Sequence, residues 1–127
     1  TPGGARRVAR VTGGSFTAEG FSGDVQAGED WILERGDGSI LLDVRLPLVT
    51  DQGETILMRY GGVRAGSPEI MAALARGEEV LPADYYFRIA PTFETAAPRL
   101  AWLNRILAIG SGVRLKNDVV YDIWQVE

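Results

Sequence analysis

Residues 39–60 read SILLDVRLPLVTDQGETILMRY, and their pattern decides the fold class. Ile40, Leu42, Val44, Leu46 and Leu48 recur at every second position, the period of a strand with one face against a core. The alternate set, Leu41, Asp43, Arg45, Pro47 and Val49, is mixed but largely apolar, so a helix or a second subunit is expected to cover it. Asp51-Gln52-Gly53 interrupts the run and Thr55 to Tyr60 resumes it, which makes a hairpin. Two registers are open. A two-residue loop at Gln52-Gly53 pairs Arg45 with Tyr60 and builds a mixed pocket wall with Ile56 and Met58 on the same face. A three-residue loop with Gly53 left-handed pairs Arg45 with Arg59 and builds a charged outer surface.

Outward from this hairpin, turn signals recur at short intervals among 16 glycines: Gly3-Gly4, Gly13-Gly14, Gly36-Asp37-Gly38, Gly61-Gly62 and Lys116-Asn117-Asp118. Between them the sequence predicts strands over Val8–Thr12, over Phe16–Val25 with a bend or bulge, over Trp31–Arg35, and over Tyr85–Ala90 up to Pro91. Leu103–Leu115 and Val119–Val126 read as a closing hairpin, with a helix over Leu100–Ile109 as the alternative. Glu94–Ala101 is a turn or a short helix broken at Pro98. One helix is clearly signalled. Ser67 is an N-cap, Pro68 suits the first turn, Glu69 favours the positive end, Gly77 ends it, and Ile70, Met71 and Leu74 share a side. Asp30-Trp31 reads as a turn and barrel anchor. The expected fold class is mainly β: one domain over residues 1–127, a small antiparallel β-barrel with one short helix, closed because closure removes open edges.

The 127 residues hold no cysteine and no histidine. A thiol nucleophile and a Ser-His-Asp triad are therefore excluded, and a metal site is not expected because the commonest ligands are missing. Any chemistry must be carried by Asp, Glu, Tyr, Lys or Arg, and no cofactor is expected. The formal net charge is −4, and the basic residues Arg6, Arg7 and Arg10 make a solvated segment rather than a patch, so nucleic acid is not an expected partner. No apolar run approaches the roughly 20 residues of a membrane helix, and the first residues lack a signal-peptide centre. Missing cysteines fit a reducing compartment, so the expected localisation is cytoplasmic.

Candidate site residues concentrate in residues 86–104, YFRIAPTFETAAPRLAWLN. Polar groups inside an apolar run need partners, in a core network or a pocket. Arg88 and Arg45 could bind a carboxylate or enolate oxygen, or pair structurally with Asp43 or Glu94. Glu94 or Asp43 could act as general base if buried, or serve as a cap or ion-pair partner. Tyr86 and Tyr60 could steady an oxyanion, or simply pack their rings. Trp31 and Trp102 could stack on a flat ligand or belong to the core, and Asn104 needs a partner that a ligand could supply. Gly110-Ser111-Gly112 lacks the strand-to-helix setting of a phosphate loop.

Taken together in order and spacing, Thr1-Pro2, Arg6-Arg7, Gly13-Gly14-Ser15-Phe16, Asp30-Trp31, Asp37-Gly38, Leu42-Asp43-Val44-Arg45, Thr50-Asp51-Gln52-Gly53, Tyr86-Phe87-Arg88, Pro91-Thr92-Phe93-Glu94-Thr95 and Trp102-Leu103-Asn104 resemble the family called domain of unknown function 3237. The resemblance implies a small barrel like that of allene oxide cyclase, with a further strand before Thr1-Pro2 in relatives. It implies a fold rather than an activity. Three functions fit: a cofactor-independent isomerase, cyclase or lyase acting on a small apolar carbonyl or carboxylate compound in the lumen, a lipocalin-like binding module, and an oligomerising structural domain. A homodimer or higher homo-oligomer is expected from the two apolar faces of residues 40–49. With Arg88 in the lumen, Arg88→Ala is expected to weaken carboxylate binding far more than stability.

Overall fold

The protein was analysed as a computed structural model that describes residues 2–11, 13–116 and 118–127, and all side chains among them except those of Arg10 and Val11. The first residue of the Thr1-Pro2 motif, the end of the expected Val8–Thr12 strand and the centre of the Lys116-Asn117-Asp118 turn lie outside the described residues.

Nine strands are present among the described residues: β1 (Ala5–Val11), β2 (Gly14–Ala18), β3 (Phe21–Val25), β4 (Gly28–Glu34), β5 (Ile40–Thr50), β6 (Thr55–Ala65), β7 (Tyr86–Thr95), β8 (Leu107–Arg114) and β9 (Val119–Val126). The main path runs β1-β4-β5-β6-β7-β8-β9, and the β2–β3 hairpin joins through β3 to β5. Every pairing is antiparallel. The expected closure is not met: among the described residues no ladder joins β1 to β9, so the barrel-like wall stays open between them, and β2, paired only with β3, is a further edge.

The β5–β6 hairpin takes the three-residue register. Gly53 has φ +80°, its N–H bonds to the Thr50 carbonyl at 2.9 Å, and Arg45 faces Arg59. That register sends Ile40, Leu42, Val44, Leu46, Leu48, Ile56, Met58 and Tyr60 into one core. It also carries the inward row past the Gly61-Gly62 pair, because β6 does not stop at Tyr60 but runs to Ala65. Phe16–Val25 is two strands rather than one bent strand, folded at Gly20 with φ +89°. Residues 86–95 form one strand through Pro91, not a strand ending there. β8 pairs with β7 only at Arg88 and Ile89, so around Pro91 one edge of β7 makes no ladder bonds and a missing donor is tolerated.

Helix α1 (Pro68–Ala75) matches its signals. Ser67 Oγ accepts from the Ile70 N–H at 3.2 Å, and the Gly77 and Glu78 N–H groups return to the Leu74 and Ala73 carbonyls at 3.0 Å. Its Leu74 is buried in the core. A 3₁₀ segment, Pro98–Arg105, occupies residues expected in part to be strand. Arg99 anchors it with a two-pronged contact to Glu54 and a 3.0 Å bond to the Gly20 carbonyl.

Phe87 and Ile89 lean sideways over inward-facing glycines on both flanking strands. A Cβ on Gly112 would meet the Phe87 ring at 2.9 Å, whereas one on Gly36 would meet nothing within 4 Å. Gly112→Ala is expected to cost roughly 1–3 kcal/mol by overpacking and Gly36→Ala about 0.5 kcal/mol or less, read as urea midpoints. Equal costs would contradict this packing.

Candidate functional site

Directly paired residues on neighbouring strands share a face. Asp30 pairs with the core residue Val44, and Val44 with Tyr60. Arg64 pairs with buried Ile40 and Phe87, and Tyr121 pairs with buried Gly112. Asp30, Tyr60, Arg64 and Tyr121 therefore all stand on the concave face. Around them the same face is apolar, so their polar groups are held in a poorly solvated setting.

Aromatic rings form the wall. Tyr121 meets Tyr60 edge-on at 5.3 Å between centroids and Phe87 at 5.5 Å. The Arg64 guanidinium lies 5.5 Å above the Phe87 ring, a cation–π geometry. Arg64 is only 8% exposed, and its Nε has no hydrogen-bond partner. At the end of β8 the Arg114 N–H donates to the Tyr85 hydroxyl at 2.9 Å, while the buried Arg114 Nε is likewise unpartnered.

The β4–β5 ladder skips Trp31 and Ile32, and beside this gap Asp30 Oδ1 accepts the backbone N–H of Asp43 at 3.3 Å. Burial pushes the Asp30 carboxyl above its ordinary value, and this outweighs the opposing pull of that hydrogen bond and of the Arg64 charge. Burial also raises both Tyr60 and Tyr121, so their hydroxyls stay protonated and able to donate. Burial lowers Arg64, and the nearby Arg114 charge adds to the effect. The concave face opens at the rim, where Ala5 and Arg7 on β1 and Ile123 and Gln125 on β9 share the inward side yet are exposed.

Most of the residues expected in the lumen are elsewhere. Phe87, Ile89 and Phe93 take the inward positions of β7, so strict alternation turns Tyr86, Arg88 and Glu94 outward. Tyr86 is 56% exposed, and Arg88 lies 5.4 Å over its ring while donating to the Phe87 carbonyl. Both border a shallow outer hollow of about 480 Å³. A second outer groove, of about 920 Å³, is lined by Trp31, Asp43, Arg45, Arg59 and Glu94. Trp102 is exposed and sits edge-on to Phe21 at 6.3 Å. Asn104 is not in a strand. Its amide clips the backbone of Thr95, accepting at 2.7 Å and donating at 2.8 Å, so it needs no ligand. Of the expected residues only Tyr60 is in the interior. Arg64 was legible had the β6 alternation been followed through Gly61-Gly62, and Tyr121 through the last hairpin. Asp30, read with Trp31 as a turn, lies instead inside β4, and Arg114 carried no comparable signal.

Residues 1–126 match the family described as Protein of unknown function (DUF3237). The chain belongs to that family. A UPF0311 protein of Rhodopseudomonas palustris is 38% identical over 124 residues, covering 97% of this chain and 81% of that one. The crystal structure of the R. palustris protein of unknown function is similar with a TM-score of 0.92 at 37% identity, over 96% of this chain and 83% of that one. A β-barrel like protein from Acinetobacter baumannii gives 0.85 at 38% identity, over 100% and 82%. An enzyme from Penicillium herquei gives 0.69 at 22% identity, over 96% and 75%, a likeness of fold alone. Among the described residues of this DUF3237 chain, no acidic cluster could hold a metal and no helix is long and apolar enough to cross a membrane.

A carboxyl whose pKa is raised by folding contributes most stability below its ordinary range and loses it as pH rises through the raised value. Asp30→Asn keeps an acceptor for the Asp43 N–H without the buried charge. It is expected to melt above the parent protein at pH 7, with the difference shrinking towards pH 3. A lower melting point at pH 7 would mean that the carboxylate is stabilised rather than strained by its setting.

Proposed function

We propose that the concave face of this DUF3237 protein binds a small, flat carbonyl compound and moves a proton on it without a cofactor. The carrying observation is a half-buried carboxylate with a raised pKa on the same face as two tyrosines held protonated by burial. Asp30 would take a proton from the carbon beside the carbonyl, becoming the carboxylic acid. Tyr121 or Tyr60 would donate a hydrogen bond to the resulting enolate oxygen, and return of the proton at another atom would give the isomer. The half-buried Tyr121 ring, backed by the fully buried Phe87, offers an aromatic surface for the flat substrate. The Penicillium herquei enzyme indicates that this fold can house catalysis, without saying which.

The size of the outer groove favours a second reading, in which Arg45 and Trp31 bind a ligand and Glu94 or Asp43 faces it, with or without chemistry. Arg88, Tyr86, Trp102 and Asn104 lie outside both arrangements. A homodimer or higher homo-oligomer remains our reading of the exposed apolar strand faces, which include Trp31, Leu57, Ile109 and Trp124. Sedimentation at micromolar concentration is expected to give more than a monomer.

Exchange of the α-protons of phenylacetone and phenylpyruvate in heavy water, followed by proton NMR, tests the catalytic reading. The protein is expected to accelerate exchange, and Asp30→Asn to remove roughly 10²–10⁴-fold of that acceleration. No acceleration, or acceleration that survives in Asp30→Asn, would contradict it.

A further inference from the structure

Arg64 and Arg114 are an unusual pair. Each has a buried Nε with no hydrogen-bond partner. The ion pairs found among the described residues join Arg7 to Glu34, Arg76 to Glu78 and Arg99 to Glu54, so neither Arg64 nor Arg114 has a carboxylate partner at bonding distance. Both stand on the concave face with β7 between them, Arg64 opposite Phe87 and Arg114 beside Tyr85, and the Arg114 charge acts on Arg64. Leaving a buried Nε–H without a partner is costly, and the Arg114 charge adds to the cost at the buried Arg64, while Arg114 itself is half-buried. A fold that needed only packing here would use apolar side chains. Asp30 makes no ion pair with Arg64, and its charge offsets the Arg114 charge only in part.

We infer that Arg64 and Arg114 form an anion subsite on the concave face, and that the natural ligand carries a carboxylate seated between the two guanidinium groups. This rests on the proposed interior site and narrows its substrate class to a carbonyl acid. Guanidinium forks match a planar carboxylate by paired N–H donation. The surroundings favour a flat monoanion over a phosphate: the Phe87 ring lies beneath Arg64, Tyr85 flanks Arg114, and the Asp30 charge on the same face disfavours a dianion. A carboxylate here would leave the rest of the ligand to run along the aromatic wall towards Tyr60, Tyr121 and Asp30.

The test compares phenylpyruvate with phenylacetone, which replaces the carboxylate by a methyl group, using calorimetric binding to the full chain. Phenylpyruvate is expected to bind about 10- to 100-fold more tightly, the range of charge-assisted hydrogen bonds. Arg64→Met is expected to erase that difference while raising the melting temperature, since it removes an uncompensated buried charge. Arg114→Gln provides the same binding comparison if Arg64→Met does not fold. Equal binding of the two ketones, or a preference that survives both arginine variants, overturns the anion subsite and leaves the interior site standing. Failure of the parent protein to bind either ketone overturns both.

Discussion

The two-residue period of the β5–β6 hairpin decides what the inside of this protein contains. Gly53 in the left-handed region sets a three-residue loop, the loop sets the register, and the register sends Leu42, Val44, Leu46, Ile56, Met58 and Tyr60 inward together. A slip of one residue would exchange that set for Asp43, Arg45, Leu57 and Arg59, bringing charged side chains in and apolar ones out. Because pairing propagates parity from strand to strand, the same choice puts Asp30 on β4 and Arg64 on β6 in the interior and turns Arg88 on β7 to the outside.

This parity creates a conflict between burial and charge. Burying Phe87, Ile56 and Val44 provides much of the favourable energy of folding, since a fully buried large apolar side chain is worth roughly 1.5–3 kcal/mol. Asp30, Arg64 and Arg114 sit on the same face and oppose it. Local devices reduce the cost: the Asp43 N–H on Asp30, the Phe87 ring under Arg64 and the Tyr85 hydroxyl holding the Arg114 backbone. They do not remove it, since two guanidinium nitrogens remain without partners. Sites that bind or react commonly retain such unresolved polarity, because a ligand completes it.

The fold was readable where alternation and turn chemistry were both strong. The 40–49 strand, the Asp51-Gln52-Gly53 turn and the Ser67–Gly77 helix signals all appear in the structure. Closure was not readable, because it depends on edges meeting in space and not on any local pattern. The orientation of several candidate residues was not readable, for a specific reason. Tyr86, Arg88 and Glu94 looked embedded because their sequence neighbours are apolar, but in a strand the neighbour in sequence faces the opposite way. The residues that do share the interior are spread from position 30 to position 121, and only strand pairing brings them together.

The most direct measurement is a crystal structure of the protein soaked with phenylpyruvate. The expected result is density on the concave face, with the ring against Tyr121, the carbonyl within reach of Asp30 and a tyrosine hydroxyl, and the carboxylate on Arg64. Density only in the outer groove beside Trp31 and Arg45, or an interior closed to the ligand by packed side chains, would contradict it.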